Sequence, residues 1–145
     1  MNDFVLIGGQ AMIHLGLNRT TLDHDYLGLV PDNKRTFVKI PGGHICNASV
    51  DKFFMKIYLK EKGNEVATPQ SMLELKCRSF VERWRNGHFE KANNIDVSDI
   101  TFLVNEYAVT SFPILSRNWD LSIGEKKELK KIIKEAKKTK ENIPV

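Results

Sequence analysis

Residues 4–30 read FVLIGGQAMIHLGLNRTTLDHDYLGLV, and this stretch decides the fold. Phe4-Val5-Leu6-Ile7 is a short apolar run closed by Gly8-Gly9, the pattern of a buried strand entering a turn. Gln10 to Leu15 suits a short helix, with Gly16 placed to end it in a left-handed cap. Leu22 to Val30 reads as a second strand, stopped by Pro31-Asp32-Asn33. Residues two apart on a strand point to one side. Asp23 and Asp25, at the start of that strand, are therefore expected to aim their carboxylates the same way, and His24 the opposite way.

Two carboxylates side by side suit a hard cation, Mg2+ or Mn2+. Such an ion is commonly held by one or two carboxylates, with substrate phosphates and water filling its other positions. A pair of ions can clamp the attacking and leaving oxygens of a displacement at phosphorus. The plainer reading makes Asp23-His24-Asp25 a polar strand start. Gly8-Gly9 also reads two ways. Glycines there let backbone approach a phosphate, with helix N–H groups as donors, or they form an ordinary strand-to-helix turn. Arg19 is a candidate to steady a phosphate or to pair with an aspartate; its plain alternative is a surface arginine.

Working outward, Thr36 to Ile40 alternates like a strand and is followed by a Pro41-Gly42-Gly43 turn. ICNASV and KFFMKIYLK, within residues 45–60, have β-type composition and are expected to form one or two strands, with a turn near Lys62-Gly63-Asn64. Thr68-Pro69 starts a helix as N-cap and first residue. Its buried stripe is expected to be Leu73, Cys77, Phe80, Val81 and Trp84, and Asn86-Gly87 ends it. A polar loop over 88–95 then leads to a helix from about Asp96 to Tyr107. Asp96 is its N-cap on the plain reading, with Asp99 in the first turn. Residues 108–123 read as a connection. A last helix over Glu125 to Lys140 carries a stripe of Leu129, Ile132, Ile133 and Ala136. The fold class is α+β (mixed α/β), a small mixed sheet flanked by helices. Residues 1–107 form the core, and 108–145 a connection and basic helix packed on the same domain.

The 145 residues suffice for one domain that buries about two-thirds of its unfolded surface. No apolar run approaches the ~20 residues of a membrane span, so no membrane partner is expected. The start lacks the basic region of a signal peptide, and the two cysteines, Cys46 and Cys77, suit reduced thiols in a cytoplasmic setting. The net charge of +4 is uneven: residues 125–140 hold eight lysines and three glutamates. That segment has two readings, contact with an RNA phosphate backbone or a solvated amphipathic helix. Tyr26, Tyr58, Trp84 and Trp119 are either core residues or platforms for a base.

Taken together, Gly8-Gly9, Ala11, then Asp23-His24-Asp25 resemble the nucleotidyltransferase superfamily built on the DNA polymerase β-type core, nearest to AbiEii-like toxins and minimal nucleotidyltransferases. A second block is similar to that family's later helices: Ala67-Thr68-Pro69-Gln70-Ser71-Met72-Leu73-Glu74-Leu75-Lys76, then Arg83, Lys91 and Asp96-Val97-Ser98-Asp99-Ile100. The resemblance implies a metal-dependent enzyme that moves a nucleotide from an NTP to an acceptor hydroxyl. Asp23 and Asp25 would hold Mg2+ and Gly8-Gly9 the phosphates. Lys76 would neutralise developing charge, and Asp96, or alternatively Asp99, would complete the site. Lys76 and Arg83 lie seven apart, on nearly one helix face, where long stems can present their charges at a cleft edge. The acceptor class spans RNA (a tRNA end among them), a protein hydroxyl and a small molecule such as an aminoglycoside. A toxin role would bring an antitoxin partner. The chain departs from the pattern in having His24 between the aspartates and no helix ahead of the first strand. The third carboxylate that many members carry has Asp51 as its candidate here. The alternative function is a non-catalytic regulator on the same fold, binding nucleic acid or protein.

Overall fold

A computed structural model describes residues 3–141. The chain divides into two compact units, Met1–Met72 and Leu73–Val145.

The first unit is built on a four-stranded sheet of β1 (Val5–Ile7), β2 (His24–Gly28), β3 (Phe37–Ile40) and β4 (Gly43–Asn47), in the order β1-β2-β4-β3. Strand β2 runs antiparallel to β1 and parallel to β4, while β3 and β4 form an antiparallel hairpin. On the other side of β1, Leu6 N–H donates to Glu65 at 2.8 Å and Ala67 N–H donates to Leu6 at 3.0 Å. That pairing covers the edge β1 would otherwise present. Helix α1 (Gly8–His14) follows β1 with no intervening loop, so the glycine pair forms its first turn. Leu15 and Gly16 close it through N–H bonds to Ala11 and Ile13, with Gly16 at φ 106°. Asn47 is fully buried and ties the β2–β3 connection together. Its amide reaches the carbonyls of Val30, Asn33 and Arg35, and its oxygen accepts from Val30 and Ser49.

KFFMKIYLK is not a strand: Lys52–Glu61 forms helix α2. Phe53, Phe54, Ile57 and Tyr58 are buried, a spacing that a helix gathers on one face and a strand would scatter over two. Asp51 starts the helix by accepting from Phe54 N–H at 2.9 Å. Asp51 is thus an N-cap, and its placement as a carboxylate on a sheet strand is corrected.

The second unit is helical. Helix α3 (Pro69–Arg85) ends at Gly87, which takes φ 76°. The stretch expected as a polar loop is helical too. A short helix α4 (Phe89–Lys91) runs through a π-helical segment (Ala92–Asp96) into α5 (Val97–Tyr107). Asp96 therefore sits inside a helical run, makes no capping bond, and is not an N-cap. Helix α6 (Pro113–Asn118) occupies the expected connection, and α7 (Ile123–Glu141) packs along α5. Leu73, Cys77, Phe80 and Val81 are buried as the α3 stripe requires, but Trp84 is 46% exposed. The α7 stripe of Leu129, Ile132, Ile133 and Ala136 is buried throughout. From Glu74, on α3, the carboxylate accepts from the backbone N–H groups of Ile114 and Leu115. These are orphan donors in the first turn of α6, which Pro113 begins.

Candidate functional site

In the first unit Asp25 and Arg19 lie against the glycine turn. Gly8 has φ 70°, a left-handed conformation that costs a side-chain-bearing residue energy. It is also crowded: a Cβ there would lie 2.8 Å from Asp25 Oδ2 and 3.2 Å from Asp25 Cβ. The register explains why, since Asp25 pairs with Ile7, the residue before Gly8. At Gly9 a Cβ would lie 2.9 Å from Thr21 Cγ2 and 3.1 Å from Arg19 Nη2. One carboxylate therefore lies against the first glycine and one guanidinium against the second. Gln10 fixes the intervening loop by donating from Nε2 to Thr21 O at 2.8 Å.

Asp25 is oriented from its other side by β4. Its Oδ1 accepts from His44 N–H at 3.1 Å, and the His44 ring nitrogen Nδ1 stands 3.8 Å away. The side chain keeps 33% of its surface exposed. Asp23 is exposed and precedes β2, which begins at His24, so strand alternation as drawn from the sequence does not extend to it. Its N–H donates to Thr21 Oγ1 at 3.3 Å. Among the described residues no three His, Cys, Asp or Glu side chains group to hold a metal. Asp23 and Asp25 are hard oxygen donors of the type magnesium takes, but two carboxylates are too few for an ion held by the protein alone.

The second unit holds the other candidates, each engaged within it. Lys76 Nζ pairs with Asp99 Oδ2 at 2.7 Å, with both side chains buried or nearly so. Arg83 Nη1 pairs with Asp96 Oδ2 at 3.1 Å, and Ser79 Oγ donates to Asp96 Oδ1 at 3.0 Å. Seven residues apart, Lys76 and Arg83 do reach one neighbouring run, the π-helical segment and the start of α5. Lys76 lies on neither a solvated face nor a cleft edge, being only 8% exposed. Burial pushes the Asp96 carboxyl above its ordinary value, against the pull of Arg83, Lys76 and Ser79, with Asp99 adding to the rise. A π-helical segment is an uncommon element that recurs at functional sites. Lys91 is exposed at the end of α4. Cys77 is a free, fully buried thiol whose pKa is pushed up by burial and by the charges of Glu74 and Asp96. It has the character of an inert core residue.

The sequence reading missed His44, Thr21 and Gln10. Only the β2–β4 pairing brings His44 beside Asp25, and no local pattern announces a pairing across nineteen residues. Tyr58 is buried, and Trp119 lies between the guanidinium groups of Arg78 and Arg85, at 4.8 and 4.5 Å. Among the described residues no helix is long and apolar enough to cross a membrane. No protein-family model, characterised protein or solved structure matches this chain.

Proposed function

We propose that this protein is a metal-dependent nucleotidyltransferase that transfers a nucleoside monophosphate from an NTP to an acceptor hydroxyl. The observation that carries the reading is Asp25. One oxygen is held by His44 N–H, and the other lies against a left-handed glycine where a side chain would displace it. Asp23 and Asp25 hold the ion in this reading, which supplies charge neutralisation at the phosphates. Arg19, beside Gly9, orients the phosphate chain by bidentate contact. Asp25 is itself oriented before substrate arrives, so little reorganisation is left for the reaction. Lys76 and Asp96, which the resemblance would place in the site, are each engaged inside the second unit and take no part in this reading. The acceptor is an RNA end or a protein hydroxyl, and a toxin with an antitoxin partner is the biological setting proposed.

A non-catalytic regulator on the same fold is the second reading. It is favoured by the Lys76–Asp99 pair, which spends the lysine charge inside its own unit. Thermal melting separates the two. With Mg2+ and an NTP at a hundredfold excess over Kd, mass action adds about 2.7 kcal/mol to stability. The shift should need both Mg2+ and NTP and should vanish in Asp23→Ala/Asp25→Ala. No shift with any NTP overturns the enzyme reading. Incubation with labelled NTPs and cell extract then identifies the acceptor by whether label moves to RNA or to protein.

A further inference from the structure

We infer that the second unit binds single-stranded nucleic acid, with phosphates along a lysine crest on α7 and an unpaired base against Trp84 and Phe89. On α7 the exposed Lys127, Lys131, Lys134 and Lys138 fall at i, i+4, i+7 and i+11, which is one face of a helix. Lys130 and Lys137 flank them and are also exposed. The buried stripe of Leu129, Ile132, Ile133 and Ala136 lies on the opposite side. From Lys127 to Lys138 the crest runs about 16 Å at 1.5 Å per residue. A straight row of point charges of that length matches a phosphate backbone. The apolar side of α7 is used internally, whereas a helix lying on a membrane must bury its apolar face in the lipid.

A groove of about 340 Å³ runs beside the crest, and Lys131 and Phe80 both line it. Phe80 carries Trp84 stacked at 5.7 Å and 25°, and Phe89 stands edge-on to Trp84 at 4.6 Å. Trp84 and Phe89 remain 46% and 48% exposed. Large aromatics left open to solvent, joined through Phe80 to a groove that Lys131 also lines, are what an unstacked base uses. Paired bases in a duplex offer no such face. Glu128, Glu135 and Asn93 also line the groove. The two glutamates repel phosphate there, which keeps the backbone on the crest, and all three side chains can accept from exocyclic amino groups of a base.

This inference stands apart from nucleotide transfer and is tested without NTP. A labelled 12-nucleotide single strand of mixed sequence is titrated with the full chain at several salt concentrations. Four crest contacts give a log–log slope of about −2.8, hence about a 50-fold loss of affinity between 50 and 200 mM salt. The variant Lys127→Gln/Lys131→Gln/Lys134→Gln/Lys138→Gln, shown folded by circular dichroism, should abolish most of that slope. Trp84→Ala should weaken binding about 5- to 150-fold with the slope unchanged. Because Trp84→Ala can also disturb packing, quenching of Trp84 emission by the strand is read in Trp119→Phe, where Trp84 is the sole tryptophan. An unchanged slope in the lysine variant, absent quenching, or equal affinity for a blunt duplex overturns the proposal. So does equal affinity for polyglutamate or for anionic lipid vesicles.

Discussion

Replacing Gly8 by alanine should displace the Asp25 carboxylate. Two costs add. A left-handed φ of 70° costs an alanine about 1–2 kcal/mol. The new Cβ would also lie 2.8 Å from Asp25 Oδ2, so that side chain must rotate. Rotation breaks the bond from His44 N–H to Oδ1, a partly exposed bond to a charged group worth about 1–2 kcal/mol. Gly8→Ala should therefore destabilise by about 2–4 kcal/mol, a fall in Tm of roughly 3 °C for each kcal/mol in a chain of this size. Asp25→Ala removes the carboxylate and leaves the backbone cost. In that background Gly8→Ala should cost only about 1–2 kcal/mol, so the double-mutant cycle should show a coupling of about 1–2 kcal/mol. The assay is urea unfolding of the parent, the two single variants and the double variant. If the single effects add to within about 0.5 kcal/mol, the carboxylate is not held against Gly8 and the geometry assigned to the site is wrong. The same Gly8→Ala chain, kept well below its Tm, should lose the Mg2+-NTP stabilisation while staying folded.

Other perturbations follow from the buried charges. Lys76→Met removes the cation that pairs with buried Asp99 and should cost about 3–5 kcal/mol, whereas Lys76→Met/Asp99→Leu should recover most of that loss in urea titrations. Burial raises the Glu61 pKa, but bonds from Thr68, Ser71 and Asn64 outweigh it and hold the carboxyl below its ordinary value of 4.5. A lowered carboxyl stabilises the fold above the unfolded value and loses that contribution as pH falls. Melting curves should therefore weaken below pH 4.5, and Glu61→Gln should lower stability at neutral pH while flattening that dependence. Glu125 is lowered to about 2 by its bonds from Arg85 against a small burial penalty, so its contribution is lost between about 4.5 and 2 as pH falls. The pair is partly solvated, which limits the effect to about 1 kcal/mol, read as the pH dependence removed by Glu125→Gln.

Local chemistry made much of this fold legible. Gly8-Gly9, Pro41-Gly42 and Thr68-Pro69 punctuate the chain where strands, a hairpin and α3 begin or end. The stripes of α3 and α7 repeat at helical spacing, and all but Trp84 are buried. The failures share a cause. KFFMKIYLK has residues that favour strands, yet its cap at Asp51 and its four buried side chains select a helix. Propensity lost to packing. Residues 88–95 are polar and read as a loop, but Ala92 and Asp96 are buried, and partners brought by α3 hold Asp96. Such partners lie outside any window of sequence that periodicity can scan.

Carboxylates show where the limit fell. Glu61, Glu74, Asp96 and Asp99 are all at most 1% exposed, and nothing local in the sequence announces that burial. In the fold each is engaged: Glu61 by Thr68, Ser71 and Asn64, Glu74 by the first turn of α6, Asp96 by Ser79 and Arg83, Asp99 by Lys76. Burying a carboxylate is costly unless such partners are supplied, so these four positions are explained by stability alone. Asp23 and Asp25 differ in that both keep contact with solvent. Moreover, Asp25 is aligned by a backbone N–H, and its other oxygen lies where a side chain at Gly8 would have to displace it. Gly8 takes a left-handed φ that glycine adopts freely and a side-chain-bearing residue does not. The proposed function rests on this turn because it sets a partly exposed carboxylate against the first turn of α1.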